Sequence, residues 1–247
     1  CEMDKILNIA DESNALVIED CALSLDGEYG GKKTGSIGDC GCFSFYPVKH
    51  MTTIEGGMVT TNNDELAQKI RKARAFGYNK ELGERTRPGI YDVDKLGFNY
   101  RMNEVEAVVG LNQLEKLNDS LKKRKTNYEI IQSYLVENTN LFIFPKESQK
   151  SVSSYYCMNI ILYGYEKYIR EKLQDYLKKL KIGTSIHYPS AVPLFSYYKE
   201  KYNFKSGDYP IAEMIGEKTL SIPLAPHVSE ENAHTIGKSI YEFIKDL

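Results

Sequence analysis

The sequence predicts an α/β protein in two unequal lobes, a larger one built on a mainly parallel sheet followed by a smaller C-terminal α+β domain. Three observations lead there. Short apolar runs alternate with stretches of helical periodicity through the first half. The earliest run, Ala15 to Ile18, closes on two acids, Glu19 and Asp20. Beyond a long apolar-periodic helix the pattern changes to strand, helix, strand, helix. At 247 residues and 28.2 kDa the chain can bury a sizeable core, either as one domain or as a large and a small one.

In order along the chain, Met3, Ile6, Leu7 and Ala10 recur at helical spacing, and the run from Ala15 to Ile18 reads as a parallel strand buried on both faces. In such sheets functional groups gather at the carboxyl ends of strands, where Asp20 falls. A glycine-rich loop, Gly27 to Gly41, leads to a second strand, Cys42 to Tyr46, which breaks at Pro47 just before Lys49. A third runs from Gly56 to Thr61, and Asn62-Asn63-Asp64 supplies an N-cap for a helix reaching about Phe76. From Gly77 to Asn99 no period is clear, and Gly83, Pro88 and Gly89 mark a long excursion. Asn103 and Glu106 make a capping box opening one long helix toward Leu135, with Val105, Val108, Leu111, Leu114 and Leu117 on its apolar face. This helix is expected to link the lobes, with the domains at 1–125 and 126–247. The smaller lobe is expected to hold a strand from Tyr155 to Tyr163, a helix from Glu166 to Leu180, a short strand near Thr184 to Ile186 and a last helix from Ser229 to Ile244.

Composition narrows the function classes. Lys and Arg number 32 against 34 Asp and Glu, so a net charge of -2 supplies no field that would favour nucleic acid. No apolar run is long enough to cross a bilayer. The 5 cysteines form neither a disulfide framework nor a zinc spacing, which points to a reducing cytoplasm. Cys21, Cys40 and Cys42 read as buried small hydrophobes rather than nucleophiles. The 4 histidines, His50, His187, His227 and His234, are scattered without ligand spacing, so no metal is expected. Because the chain opens at Cys1 rather than Met, its natural start is expected upstream.

The ordered segments V-I-E-D-C-A, G-S-I-G-D, C-F-S-F-Y-P-V-K, T-T-I-E-G-G-M-V-T-T and G-F-N-Y-R-M carry the decisive pattern. Together they resemble the DegT/StrS sugar aminotransferases, enzymes of the aspartate-aminotransferase fold, in register from about Met3 to the C-terminus and most strongly from Leu16 to Leu117. The resemblance implies pyridoxal 5'-phosphate as cofactor. It implies that Lys49 forms a Schiff base with the cofactor aldehyde and then moves the substrate proton. Asp20 would pair with the pyridine nitrogen and keep it protonated. Ala22 would pack under the ring, Ser44 would bond the phosphate, and Asn99 would reach that phosphate from the neighbouring subunit of a homodimer. His187 and Tyr188, in H-Y-P, resemble a segment near the sugar site, with a purely structural role as the alternative. The substrates implied are a nucleotide-linked keto sugar and an amino-acid donor, L-glutamate by analogy.

Each residue also has a plainer reading. Ser44 could be satisfied by backbone, Asn99 could cap the following helix, and Arg101 is expected only to support its loop. Two departures stand out. Leu23 occupies a position where many relatives carry Gln or His facing the cofactor's phenolic oxygen. The relatives' phosphate loop and ring-stacking aromatic, which precede the matched region, have no counterpart here, so the large domain is expected to be N-terminally incomplete. Two alternatives follow: a family member that has lost the cofactor and acts as a binding or scaffold protein, and a sugar dehydratase of the same family. Against the latter stands Lys49, where those relatives carry histidine.

Overall fold

The structure, a computed structural model, describes residues 1–79, 83, 86, 87, 89–145 and 148–247. In chain order the elements are α1 (Met3–Glu12), β1 (Ile18–Asp20), β2 (Glu28–Tyr29), β3 (Lys32–Lys33), β4 (Cys40–Ser44), β5 (Gly57–Thr60), α2 (Asp64–Arg74), α3 (Glu104–Glu115) and α4 (Leu117–Leu135). They continue with β6 (Phe142–Phe144), β7 (Ser151–Val152), β8 (Met158–Ile161), α5 (Tyr168–Lys179), a 3-10 turn at Val192–Leu194, α6 (Ser196–Tyr202), α7 (Pro210–Lys218), β9 (Thr219–Ile222) and α8 (Glu230–Lys245). They fall into two compact units, Cys1–Leu117 with Gln149–Ser154, and Asn118–Ser148 with Tyr155–Leu247.

The first unit carries a sheet ordered β1-β4-β5. The pair β1 and β4 runs parallel, with Asp20 opposite Cys42, and β5 runs antiparallel to β4. Only Glu19 of β1 is buried. Ile18 is 67% exposed and Leu16 80%, so the expectation of a strand buried on both faces is corrected: among the described residues no element covers that side. The glycine-rich loop is not featureless, because β2 and β3 pair within it as a hairpin and β7 adds to β2. Asn63 caps α2 by accepting from the Leu66 amide at 3.0 Å. The capping box of α3 forms in both directions, Asn103 Oδ1 from the Glu106 amide at 2.9 Å and Glu106 Oε2 from the Asn103 amide at 3.0 Å. The single long helix does not form. At Lys116 the amide turns to the Gln113 carbonyl at 3.1 Å, a tightened last turn that closes α3 before α4 begins. On α3 the expected apolar face is also largely exposed, at Val105, Val108, Leu111 and Leu114, whereas Leu117 is buried. Of the signals for the long excursion, Pro88 lies outside the described residues, while Gly77 and Gly97 mark where its two ends cross. A Cβ on either glycine would collide with the backbone of the other end, at Lys95 O or at Gly77 N, so both positions require a bare Cα.

The second unit is an antiparallel sheet, β6-β8-β9, with its main core between sheet and helices. The expected strand from Tyr155 to Tyr163 shortens to β8, and the expected strand near Thr184 is a single bridge between Ser185 and Ser221. Ile131 and Leu135 of α4, Leu173 and Leu177 of α5, Ala233 and Ile240 of α8 and all of β9 are sequestered from solvent. Each such large aliphatic side chain contributes about 1.5–3 kcal/mol by leaving water. Ser229 caps α8 through the Asn232 amide.

Candidate active site

Strand alternation and register arrange the first unit's candidate site residues. Partners in parallel register share a face and the period is two, so Asp20, Cys42 and Ser44 lie on one face at the carboxyl ends of adjacent strands. Glu19 points the other way. Asp20 is exposed and accepts from the Ala22 amide at 3.1 Å through Oδ1, so the chain turns around its carboxylate as it leaves the strand. The parallel ladder continues one step further, with the Cys21 amide donating to the Cys42 carbonyl at 2.8 Å. Ser44 Oγ accepts from the Tyr46 amide at 3.4 Å, a long contact that leaves its hydroxyl proton to another acceptor.

Lys49 sits half-buried in a loop that closes on the strand it left. The Lys49 amide donates to the Tyr46 carbonyl at 3.0 Å. Phe45 then anchors the far side, donating its amide to Gly56 O at 2.9 Å and accepting from the Thr53 amide at 2.9 Å and the Thr52 hydroxyl at 3.0 Å. Beside Lys49, buried His50 donates Nε2–H to the Ser154 carbonyl at 2.9 Å, since a carbonyl can only accept. Ile54 holds a φ of 73° in this loop, an uncommon conformation for a β-branched residue, with its amide held by Thr52 Oγ1 at 2.9 Å. Asn99 lies on a separate stretch bridged to Ala75. It accepts from Arg101 Nε at 3.4 Å while that guanidinium stacks 4.9 Å from the Phe76 ring centre. Because the N-cap of α3 is Asn103, Asn99 is not the cap of that helix.

Of the cysteines, Cys21 is buried, and that burial raises its thiol above the ordinary range, which disfavours the nucleophilic thiolate. Cys40 and Cys42 are only half-buried, a correction to the expectation, because they flank Gly41 on a strand with one face partly open. Leu23 is exposed, and its carbonyl accepts from Ser154 Oγ at 3.0 Å. Among the described residues no cluster of His, Cys, Asp and Glu could hold a metal, and no helix is long and apolar enough to cross a membrane.

Glu19 escaped the sequence reading as an organising residue. It is buried, and its carboxylate accepts three backbone amides: Gly35 at 2.9 Å, Ile37 at 2.7 Å and Gly38 at 2.8 Å. The available signal was an acid one position out of phase with Asp20 in a short strand, with a glycine-rich loop to supply bare amides. In the second unit, His187 and Tyr188 are exposed and adjacent, with ring centres 5.8 Å apart. His187 Nδ1 lies 2.9 Å from Ser221 Oγ.

An amine on a half-buried loop, with a carboxylate acceptor and a hydroxyl donor at one end of a sheet, are the groups that a phosphorylated, positively charged pyridine aldehyde requires, and the residues present fit it. The fold is that of the pyridoxal-phosphate-dependent sugar aminotransferases. The solved aminotransferase from Psychrobacter cryohalolentis matches with a TM-score of 0.90 at 28% identity, over 100% of this chain and 66% of that one. The chain belongs to the DegT/DnrJ/EryC1/StrS aminotransferase family, whose model matches residues 1–241 and whose aminotransferases depend on pyridoxal phosphate. It is 34% identical to the GDP-perosamine synthase of Escherichia coli O157:H7 over 249 residues, 100% of this chain and 63% of that protein. It is also 34% identical to a UDP-4-amino-4,6-dideoxy-N-acetyl-beta-L-altrosamine transaminase of Campylobacter jejuni over 252 residues, again 100% and 63%. The chain therefore spans a little under two thirds of the length of these relatives.

Proposed function

We propose that the protein transfers an amino group from an amino acid, L-glutamate in the first instance, to a keto group on a nucleotide-linked sugar, with Lys49 as the residue that holds the cofactor covalently. The observation that carries this reading is the placement of Asp20 and Ser44 on one face at the ends of parallel strands, with Lys49 in the closed loop that follows the second strand. Bound there, pyridoxal phosphate supplies an electron sink for the carbon that loses or gains a proton. Lys49 would carry that proton as its neutral amine. Asp20 lends a negative charge to the ring nitrogen, and Ser44 donates its hydroxyl proton to the phosphate. Ala22 leaves room for the flat ring where a larger side chain would push it away. Asn99 reaches the phosphate of a neighbouring subunit, and His187 with Tyr188 faces the sugar. The GDP- and UDP-linked amino sugars in the relatives' names support a nucleotide sugar as substrate.

The test is covalent capture. Borohydride should bleach the yellow protein and leave a reduced pyridoxyl mass on the peptide carrying Lys49, and Lys49→Ala should lose both that mark and turnover of GDP- or UDP-linked amino sugars with 2-oxoglutarate. Capture on another lysine, or normal turnover by Lys49→Ala, would overturn the assignment.

A further inference from the structure

His187 stands at the end of a chain of polar groups, Ser185, Ser221 and Asn159, to which the proposed reaction gives no role. Its Nδ1 lies 2.9 Å from Ser221 Oγ and 3.3 Å from Ser185 Oγ. Ser221 is 5% exposed, and its hydroxyl donates onward to Asn159 Oδ1 at 2.6 Å, while the Asn159 amide points at Cys157 Sγ, 3.6 Å away. The backbone holds the array still. Ser185 and Ser221 exchange both amide–carbonyl bonds at 3.1 and 2.8 Å, and Asn159 faces Ser221 in the β8–β9 register.

Direction follows from proton counting. A hydroxyl has one proton, and that of Ser221 is committed to the Asn159 carbonyl oxygen, so toward His187 Ser221 can only accept. Nδ1 must then carry the hydrogen, and in the neutral ring Nε2 carries the lone pair. Nε2 has no hydrogen-bond partner among the described residues, and the ring is exposed beside Tyr188. We propose that Asn159 and Ser221 hold His187 as its Nδ1–H tautomer and so present Nε2 as a fixed hydrogen-bond acceptor for a hydroxyl group of the sugar substrate. His187 touches substrate in this scheme; Ser221 and Asn159 are positioning residues. The inference rests on the aminotransferase reading for its ligand, but not for its tautomer.

Two measurements on the full protein separate those parts. Long-range proton–nitrogen spectra of histidine-labelled protein, with the signal assigned by His187→Gln, should show a protonated Nδ1 and a bare Nε2, and Ser221→Ala should abolish that preference. A native protein already in the Nε2–H form would overturn the relay. With GDP- and UDP-linked amino sugars as probes, His187→Phe should raise KM about tenfold with little change in kcat, as loss of one uniform binding contact does. His187→Gln, whose amide oxygen can replace Nε2, should recover most of it. Ser221→Ala should raise KM about threefold alone and not at all in the His187→Phe background, since the two act as one unit. Equal effects in both backgrounds would reduce Ser221 to a packing role and overturn the proposal. The expected tautomer in a protein that turns over neither probe would support the relay and overturn its assignment to a sugar hydroxyl.

Discussion

Along β1 the side chains alternate, so Glu19 and Asp20 face opposite sides of the sheet although they are neighbours in sequence. Asp20 is exposed and makes a single backbone contact, whereas Glu19 is buried under three amides of the loop beyond Lys33. Their substitutions should therefore separate. Asp20→Asn should change folding stability by less than ~0.5 kcal/mol, yet lower single-turnover rates on the order of a hundredfold, the size of a lost electrostatic contact to reacting charge. Unchanged single-turnover rates would remove Asp20 from the reaction. Glu19→Ala leaves three amide donors without their acceptor and should cost roughly 2–4 kcal/mol in urea denaturation, with Glu19→Gln in between because one amide oxygen survives. A Glu19→Ala protein as stable as the parent would show that water replaces the carboxylate. The placement of Asp20 was legible because a strand-end acid after an apolar run needs only local pattern. Glu19 was not, because its partners are backbone amides whose positions exist only once the loop has folded.

The Lys49 loop is held from outside its own sequence as well as within it. Thr53, 1% exposed, faces α3 at Gly110, where an added Cβ would lie 2.8 Å from Thr53 Cγ2. Alanine is the better helix former by about 1 kcal/mol, but a buried neighbour without room to retreat imposes about 1–3 kcal/mol of overpacking. Gly110→Ala should therefore lower the unfolding midpoint, and Thr53→Ser, which deletes Cγ2 and keeps the hydroxyl, should restore it in the double variant. Additive losses in a double-mutant cycle would mean that the two positions do not press on each other. The starts of α2, α3 and α8 were readable in advance, because Asn63, Asn103 and Ser229 each carry a side chain that can bond the exposed amides of a first turn. The break at Lys116 was not, since neither glycine nor proline marks it and the apolar spacing runs through it unchanged. The β2–β3 hairpin hid in the glycine-rich loop for a related reason: strands of two residues are too short to show a period.

At the scale of the molecule, Val105, Val108, Leu111 and Leu114 leave an apolar stripe exposed on the helix that directly follows the Asn99 segment, and exposed apolar patches of this kind mark surfaces that another chain or element covers. In the proposed dimer Lys49 and Asn99 serve one cofactor from opposite subunits, which makes the active site a property of the pair. Full-length Lys49→Ala and Asn99→Ala proteins, each poorly active as a homodimer, should then complement when their subunits exchange. One site of a mixed dimer inherits both defects; the other receives native Lys49 from one chain and native Asn99 from the other. Random exchange makes mixed dimers about half of the population with one sound site in two, so activity should recover to roughly a quarter of the parent's, as the symmetry of an isologous dimer requires. The mixture is checked by native mass spectrometry before turnover is measured. Mixed dimers without recovery would return Asn99 to its own subunit, where its contact with Arg101 over the Phe76 ring would be its whole role.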